Sequence, residues 1–245
     1  MSCSCHNYQH TFLCTHEVLN LLEEAINDKK EFSLTRFSHA EVSCLSWKLN
    51  RKLFNMMDDF RIYNGFTGSA EHTAKRILKS MKTTNIAGFV RQDDQNKGAF
   101  WYESTKSLFH HLNYIPKKIC SVWVTHDMIE EQKFWELLYN KKVALIGRRA
   151  QEAIPYFQKN YVNVTIALPL EGMQYIEEVY KSLVNNNDWD IALLAAGIPA
   201  TILTPMLAKS TRRIAIDFGH ALDMVIDGES FDFSKLFEQF KNENN

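Results

Sequence analysis

No apolar run in this chain approaches the 18 or more residues that a membrane-crossing helix needs, so no membrane span is expected. Excess charge is lacking too. Lys+Arg 28 against Asp+Glu 29 leaves a net charge of −1, which excludes a global pull toward nucleic acid or anionic lipid, and no nucleic-acid partner is expected. The cysteines, at 3, 5, 14, 44 and 120, are odd in number and scattered, so they form no disulfide framework and read as reduced thiols. The opening residues, MSCSCHNYQH, lack a basic stretch followed by an apolar one, and a cytoplasmic location is the expectation. With nine glycines and five prolines, the chain shows neither a low-complexity linker nor a repeat. It also has no G-x-G-x-x-G, no Walker A loop, no H-E-x-x-H and no G-x-S-x-G, which counts against a standard dinucleotide enzyme, P-loop NTPase, zincin or α/β-hydrolase.

What is present is a folded composition: 45% hydrophobic and 23% charged over 245 residues, enough for a sizeable core. Short β-rich runs alternate with helical stretches. Strands are predicted over 32–37, 86–90, 119–124, 142–147, 162–168, 191–196 and 213–217. Helices are predicted over 16–28, capped by Thr15, then 41–57, 70–82, 149–159, 171–184 and 231–241, with another after Pro199. Asp127 with Glu130 resembles a capping box that opens a helix to about residue 139. Pro205 predicts a kink or break in the helix that contains it. The stretch 91–103 has no clear period. Continuous apolar strands alternating with amphipathic helices mean an α/β fold, Rossmann-like, with a mostly parallel sheet flanked by helices. A single domain over 1–245 is expected, with a short Cys/His-rich tail at 1–14. The potential ligands Cys3, Cys5, His6, His10, Cys14 and His16 do not have zinc-finger spacing.

Ligands gather at the carboxyl ends of the strands in open parallel sheets. Three such ends carry unusual residues: Gly147-Arg148-Arg149, Ala196-Gly197-Ile198-Pro199 and Asp217-Phe218-Gly219-His220. Arginines at a helix N-terminus oppose the helix dipole by roughly 0.3–1 kcal/mol each, a penalty that a bound phosphate would reverse. The alternative is that Arg148 and Arg149 reach solvent or pair with a nearby acid. Asp217 and His220 offer a general base, a metal ligand or a ribose partner, or else a turn cap with a packed neighbour. Ser38-His39-Ala40-Glu41 is a capping box in pattern, although His39 and Glu41 could also hold a divalent metal or a ribose. Trp101-Tyr102 is either core or a stacking surface for a sugar or base.

These residues carry a resemblance. Segment 32–41 (FSLTRFSHAE) resembles the opening strand and Arg-Phe-Gly-Asp-Gly-Glu turn of the GT-D fold glycosyltransferases. Segment 142–148 (KVALIGR) resembles their central strand, and 191–220 resembles their closing segment, which ends in Ile-Asp-Ile-Gly-His. The resemblance implies transfer of a sugar from a nucleotide-sugar, a UDP-sugar, to a hydroxyl of a glycan, protein or lipid acceptor. It also implies a divalent metal, Mn²⁺ or Mg²⁺. Carried onto this chain, it implies Asp217 and His220 as catalytic residues and Arg36, Gly147, Arg148, Gly197 and Gly219 around the donor and its phosphates. His39 and Glu41 would serve the metal. His39 stands where the family has Asp, with one charge fewer, while Glu41 is kept. Two alternatives follow: a module of the same fold that binds a nucleotide or glycan without transfer, and a Rossmann-like methyltransferase.

Overall fold

The computed structural model describes residues 12–94 and 97–235. Its strands are β1 (Phe12–Leu13), β2 (Phe32–Phe37), β3 (Ile86–Phe89), β4 (Ile119–Ser121), β5 (Lys142–Gly147), β6 (Asn163–Leu168), β7 (Ile191–Ala195) and β8 (Ile214–Asp217). Its helices are α1 (Thr15–Asn27), α2 (His39–Leu45), α3 (Arg51–Asn55), α4 (Ala70–Thr83), α5 (Gly98–Leu112), α6 (Val124–Glu130), α7 (Gln132–Leu138), α8 (Ala150–Lys159), α9 (Ile176–Val184), α10 (Ile198–Thr211) and α11 (Ala221–Asp227). The eight strands form one sheet in the order β1-β4-β3-β2-β8-β7-β5-β6, and every pairing is parallel.

Successive strand residues point to opposite faces, and the core divides accordingly. Val143, Leu145, Ile191, Leu193, Ile214 and Ile216 pack on one face with α1, α6, α7, α8 and α11. Ala144, Ile146, Ala192, Leu194 and Ala215 pack on the other with α2, α4, α5, α9 and α10. This arrangement places the site. The neighbouring strands β2, β8, β7 and β5 are followed by α2, α11, α10 and α8, which lie on alternating faces. Adjacent strands whose connections leave in opposite directions open a crevice at their carboxyl ends.

Several expectations need correction. The helix predicted over 41–57 is two helices, α2 and α3. The Ser46 hydroxyl donates to the Val42 carbonyl at 2.8 Å, and the Asn50 side chain caps α3 by accepting the Leu53 N–H at 2.9 Å. Leu49 and Met56, which share helical spacing with Val42, Leu45 and Leu53, are exposed. Asp127 does not open a helix: α6 already begins at Val124 and ends at Glu130, and α7 follows from Gln132. Cys14, not Thr15, caps α1, with its N–H on Glu17 Oε2 at 2.7 Å, and Phe12–Leu13 is sheet, not tail. The unclear stretch after 91 resolves into α5 from Gly98. Pro205 does not break α10, which runs unbroken from Ile198 to Thr211. The carbonyl four residues before a proline loses its N–H partner; here that is Thr201, and its carbonyl accepts the buried Ser80 hydroxyl from α4 instead. Residues 1–11, with most of the Cys/His cluster, and 236–245, with most of the predicted terminal helix, lie outside the described residues.

Candidate functional site

The tips at 38–41, 148–149, 196–197 and 217–220 converge on one cleft of about 1020 Å³ at the carboxyl ends of β2, β8, β7 and β5. Its floor is polar and buried. The Arg36 guanidinium lies 3.5 Å from Asp217 Oδ1, and the Arg36 backbone N–H donates to Asp217 Oδ2 at 3.2 Å. Arg36 Nη1 also donates to the Val122 carbonyl at 3.3 Å. Gly219 makes room for this arrangement: its φ is +50°, and a Cβ there would overlap the Arg36 guanidinium. Asp217 is 3% exposed, and burial pushes its carboxyl up despite the opposing charge and hydrogen bonds of Arg36.

Glu41 joins this floor from α2. Its Oε2 accepts the Ser38 N–H at 2.9 Å, which makes the capping box real, and its Oε1 accepts the Thr201 hydroxyl at 3.0 Å. Burial, then the nearby Asp217 charge, pushes the Glu41 carboxyl up to about 7. Thr201 also lies 3.4 Å from Asp217 Oδ2, so one hydroxyl on α10 bridges the two acids. Thr201 carried no local signal in the sequence, because only the packing of α10 against β2 and β8 brings it there.

His39 stacks on buried Trp101, with ring centroids 4.5 Å apart. Burial pushes its imidazole down to about 4, so it is neutral at pH 7. Among the described residues, no group of three His, Cys, Asp or Glu side chains could hold a metal ion. With both Glu41 oxygens engaged inside the protein and His39 stacked, the donor set does not fit the divalent cation expected there. Trp101 thus belongs to the core and holds His39.

The other tips differ from one another. Gly147 packs under the end of β7, where a Cβ would overlap the Ala195 carbonyl. Gly197 has φ +60°, a Cβ there would lie 2.7 Å from the Asn64 carbonyl, and that carbonyl accepts the Ile198 N–H at 3.0 Å. The loop at 61–65 therefore closes over the first turn of α10, a contact invisible in the local sequence. Arg149 is fully engaged by acids: Glu152 at 2.8 Å, Asp223 at 3.0 Å and Asp227 at 2.7 Å. Of the two readings offered for Arg148 and Arg149, phosphate binding or pairing with a nearby acid, Arg149 takes the second, and it clamps the start of α8 to α11. Arg148 sits at the rim, over the Tyr63 ring at 5.7 Å and 3.8 Å from the exposed Glu171. His220 lines the cleft, with Nδ1 3.0 Å from Asp223 Oδ2. Tyr63 stacks on one side of His220 at 6.0 Å, and Phe233 meets it edge-on at 5.4 Å. Asp223 was legible only as the acid three residues after His220, and its link to Arg149 depends on the fold.

Comparison with known proteins agrees with this architecture. The family profile of the GT-D fold-like domain matches residues 13–225. The fold is similar to a structure described as a domain of unknown function 1792 with a distinct glycosyltransferase fold, at 17% identity over 94% of this chain and 82% of that one, TM-score 0.61. It is also similar to a new glycosyltransferase of the same domain type from Streptococcus sanguinis, at 15% identity over 91% of this chain and 87% of that one, TM-score 0.62. No curated protein matches the sequence. None of these likenesses supports the methyltransferase alternative. Among the described residues, no helix is long and apolar enough to cross a membrane.

Proposed function

The chain belongs to the GT-D fold-like domain family, and from that premise we propose that it is a glycosyltransferase that moves a sugar from a UDP-sugar to a hydroxyl of a glycan, protein or lipid acceptor. The observation that carries this reading is the convergence of four strand-end tips on one cleft of about 1020 Å³, at the upper limit of the size range of small-molecule and cofactor sites.

The arginines divide by how tightly they are held. Arg149 is ringed by three carboxylates and is not available to a ligand. The Arg148–Glu171 pair is long and exposed, a class worth about 0–1 kcal/mol, so a diphosphate can take Arg148 from Glu171 at little cost. Arg148 then stabilises the charge that develops on the leaving UDP. Arg36 and Asp217 brace the floor, and Asp217, buried on Arg36, acts as scaffold in this reading. The base is His220, whose Nε2 takes the acceptor proton. In an inverting displacement the acceptor oxygen forms its bond to the anomeric carbon with the electron pair released from O–H. The sugar–phosphate bond breaks, and its electrons leave on UDP. No step passes through a metal.

The test is UDP release from a panel of UDP-sugars, with and without Mn²⁺. Wild-type turnover that falls about 10²–10⁴-fold in His220→Gln supports the reading. The misfit at His39 and Glu41 favours one rival, a module that binds nucleotide without transfer. That rival is supported if UDP binds by calorimetry, no donor turns over and His39→Asp restores no metal-dependent turnover. Neither turnover nor nucleotide binding across the panel overturns both.

A further inference from the structure

His220 is held more firmly than a cleft-lining residue needs to be. Its Nδ1 lies 3.0 Å from Asp223 Oδ2, one turn further along. The other oxygen of that carboxylate, Oδ1, accepts from Arg149 Nη1 at 3.0 Å. Arg149 is fixed in turn by Asp227, at 2.9 and 2.7 Å, and by Glu152, twice at 2.8 Å. The imidazole also stacks on the Tyr63 ring and meets Phe233 edge-on. The chain His220–Asp223–Arg149 thus runs from the cleft to the junction of α8 and α11 without a gap.

The hydrogen-bond inventory decides what this chain does. A neutral imidazole has one N–H and one lone-pair nitrogen, and an ionised carboxylate can only accept. Burial raises the Asp223 carboxyl, but the hydrogen bonds from His220 and Arg149 and the Arg149 charge hold it below the ordinary carboxylate range, and the group is ionised at neutral pH. The proton of the 3.0 Å bond therefore sits on Nδ1. We propose that Asp223, anchored by Arg149, is a positioning residue that places the His220 proton on Nδ1 and leaves Nε2 as the proton acceptor for the incoming hydroxyl, an inference that rests on the base role given to His220 above. After transfer, the imidazolium lies against the Asp223 carboxylate, which stabilises the new charge without taking the proton.

The other groups facing this pair do not replace Asp223. They are Tyr63, whose hydroxyl burial pushes up; His126, which burial and then the charge of Arg36 push down to about 3; and Glu152, which Arg149 holds below the ordinary carboxylate range. At neutral pH, Tyr63 and His126 are uncharged and Glu152 is paired to Arg149.

The test uses the full chain with ¹⁵N-labelled histidine. The imidazole shifts of His220, assigned by their loss in His220→Gln, are read at alkaline pH. The expected wild-type signature is the Nδ1–H tautomer. In Asp223→Asn the carbonyl oxygen stays on Arg149 and the NH₂ turns to His220, so the tautomer switches to Nε2–H. With an active donor, kcat then falls about 10²–10⁴-fold while KM for the donor stays within roughly two-fold. An Nε2–H wild-type tautomer overturns the proposal without any variant. So does an unchanged tautomer, or an unchanged kcat, in Asp223→Asn. If His220→Gln keeps wild-type turnover, it is the base reading that fails, whatever the tautomer.

Discussion

Two residues on the cleft floor answer to opposite physics, steric in one case and electrostatic in the other. Gly219 has φ +50° and leaves the space through which the Arg36 guanidinium passes to Asp217. Gly219→Ala adds both backbone strain and an overlap, and is expected to cost about 1–3 kcal/mol in urea denaturation. A loss below a few tenths would show that Arg36 can move aside freely. Glu41 has the opposite problem, a charge with too little water. Its carboxyl sits at about 7 in the fold against an ordinary 4.5, so between those pH values the folded state keeps a proton that the unfolded chain releases. On this account stability is highest below about pH 4.5 and falls as pH rises toward 7, by roughly 3 kcal/mol at most. Glu41→Gln should flatten that fall in urea titrations run from pH 4.5 to 7.5; an unchanged slope would place the proton elsewhere. Glu41 was legible as a cap and as a site residue, and it is both a cap and part of the floor. Its partner Thr201 was not legible, because the two lie 160 positions apart and meet only through tertiary packing.

Among the elements, the β-strands other than the two-residue β1 were readable and the helix interruptions were not. Strands β2 and β5 fall on their predicted bounds, β2 because apolar and polar residues alternate along it and β5 because it is a short apolar run buried on both faces. The break between α2 and α3 rests on side-chain bonds from Ser46 and Asn50, which compete locally with the helix and leave no trace in apolar spacing. The continuity of α10 through Pro205 has the same origin on a longer range. Its orphaned carbonyl at Thr201 is satisfied by Ser80 from α4, a residue 121 positions away. Ser80→Ala should therefore cost about 1–3 kcal/mol by leaving that carbonyl bare. In a Pro205→Ala background, where the backbone N–H is restored, the same change should cost clearly less. Urea denaturation of the four proteins in the cycle measures the coupling, and additive costs would mean that Ser80 and Pro205 act independently.

At the scale of the whole molecule, the site follows from strand order. The neighbours β2, β8, β7 and β5 send their following helices to alternating faces, so their tips part and leave the cleft between them. That the tips of parallel strands share a rim was legible in the chain; the order in which the strands lie side by side was not, since it depends on crossovers between distant segments. The same strand order explains why adjacent arginines have different fates. Arg149 faces α11 and is locked among its acids, whereas Arg148 stays at the rim over Tyr63. Arg149→Met should uncouple α8 from α11 and cost about 3–5 kcal/mol, because it leaves partly buried carboxylates unpaired; Arg148→Gln should cost less, about 1 kcal/mol or below. Chemical denaturation separates the two. The most direct measurement of the central claim is a crystal structure of the protein with UDP bound. The nucleotide is expected within the cleft, its diphosphate in hydrogen-bond reach of Arg148 and displacing Glu171 from it. UDP bound outside this cleft, or within it with Arg148 still on Glu171 and no phosphate near, would contradict it.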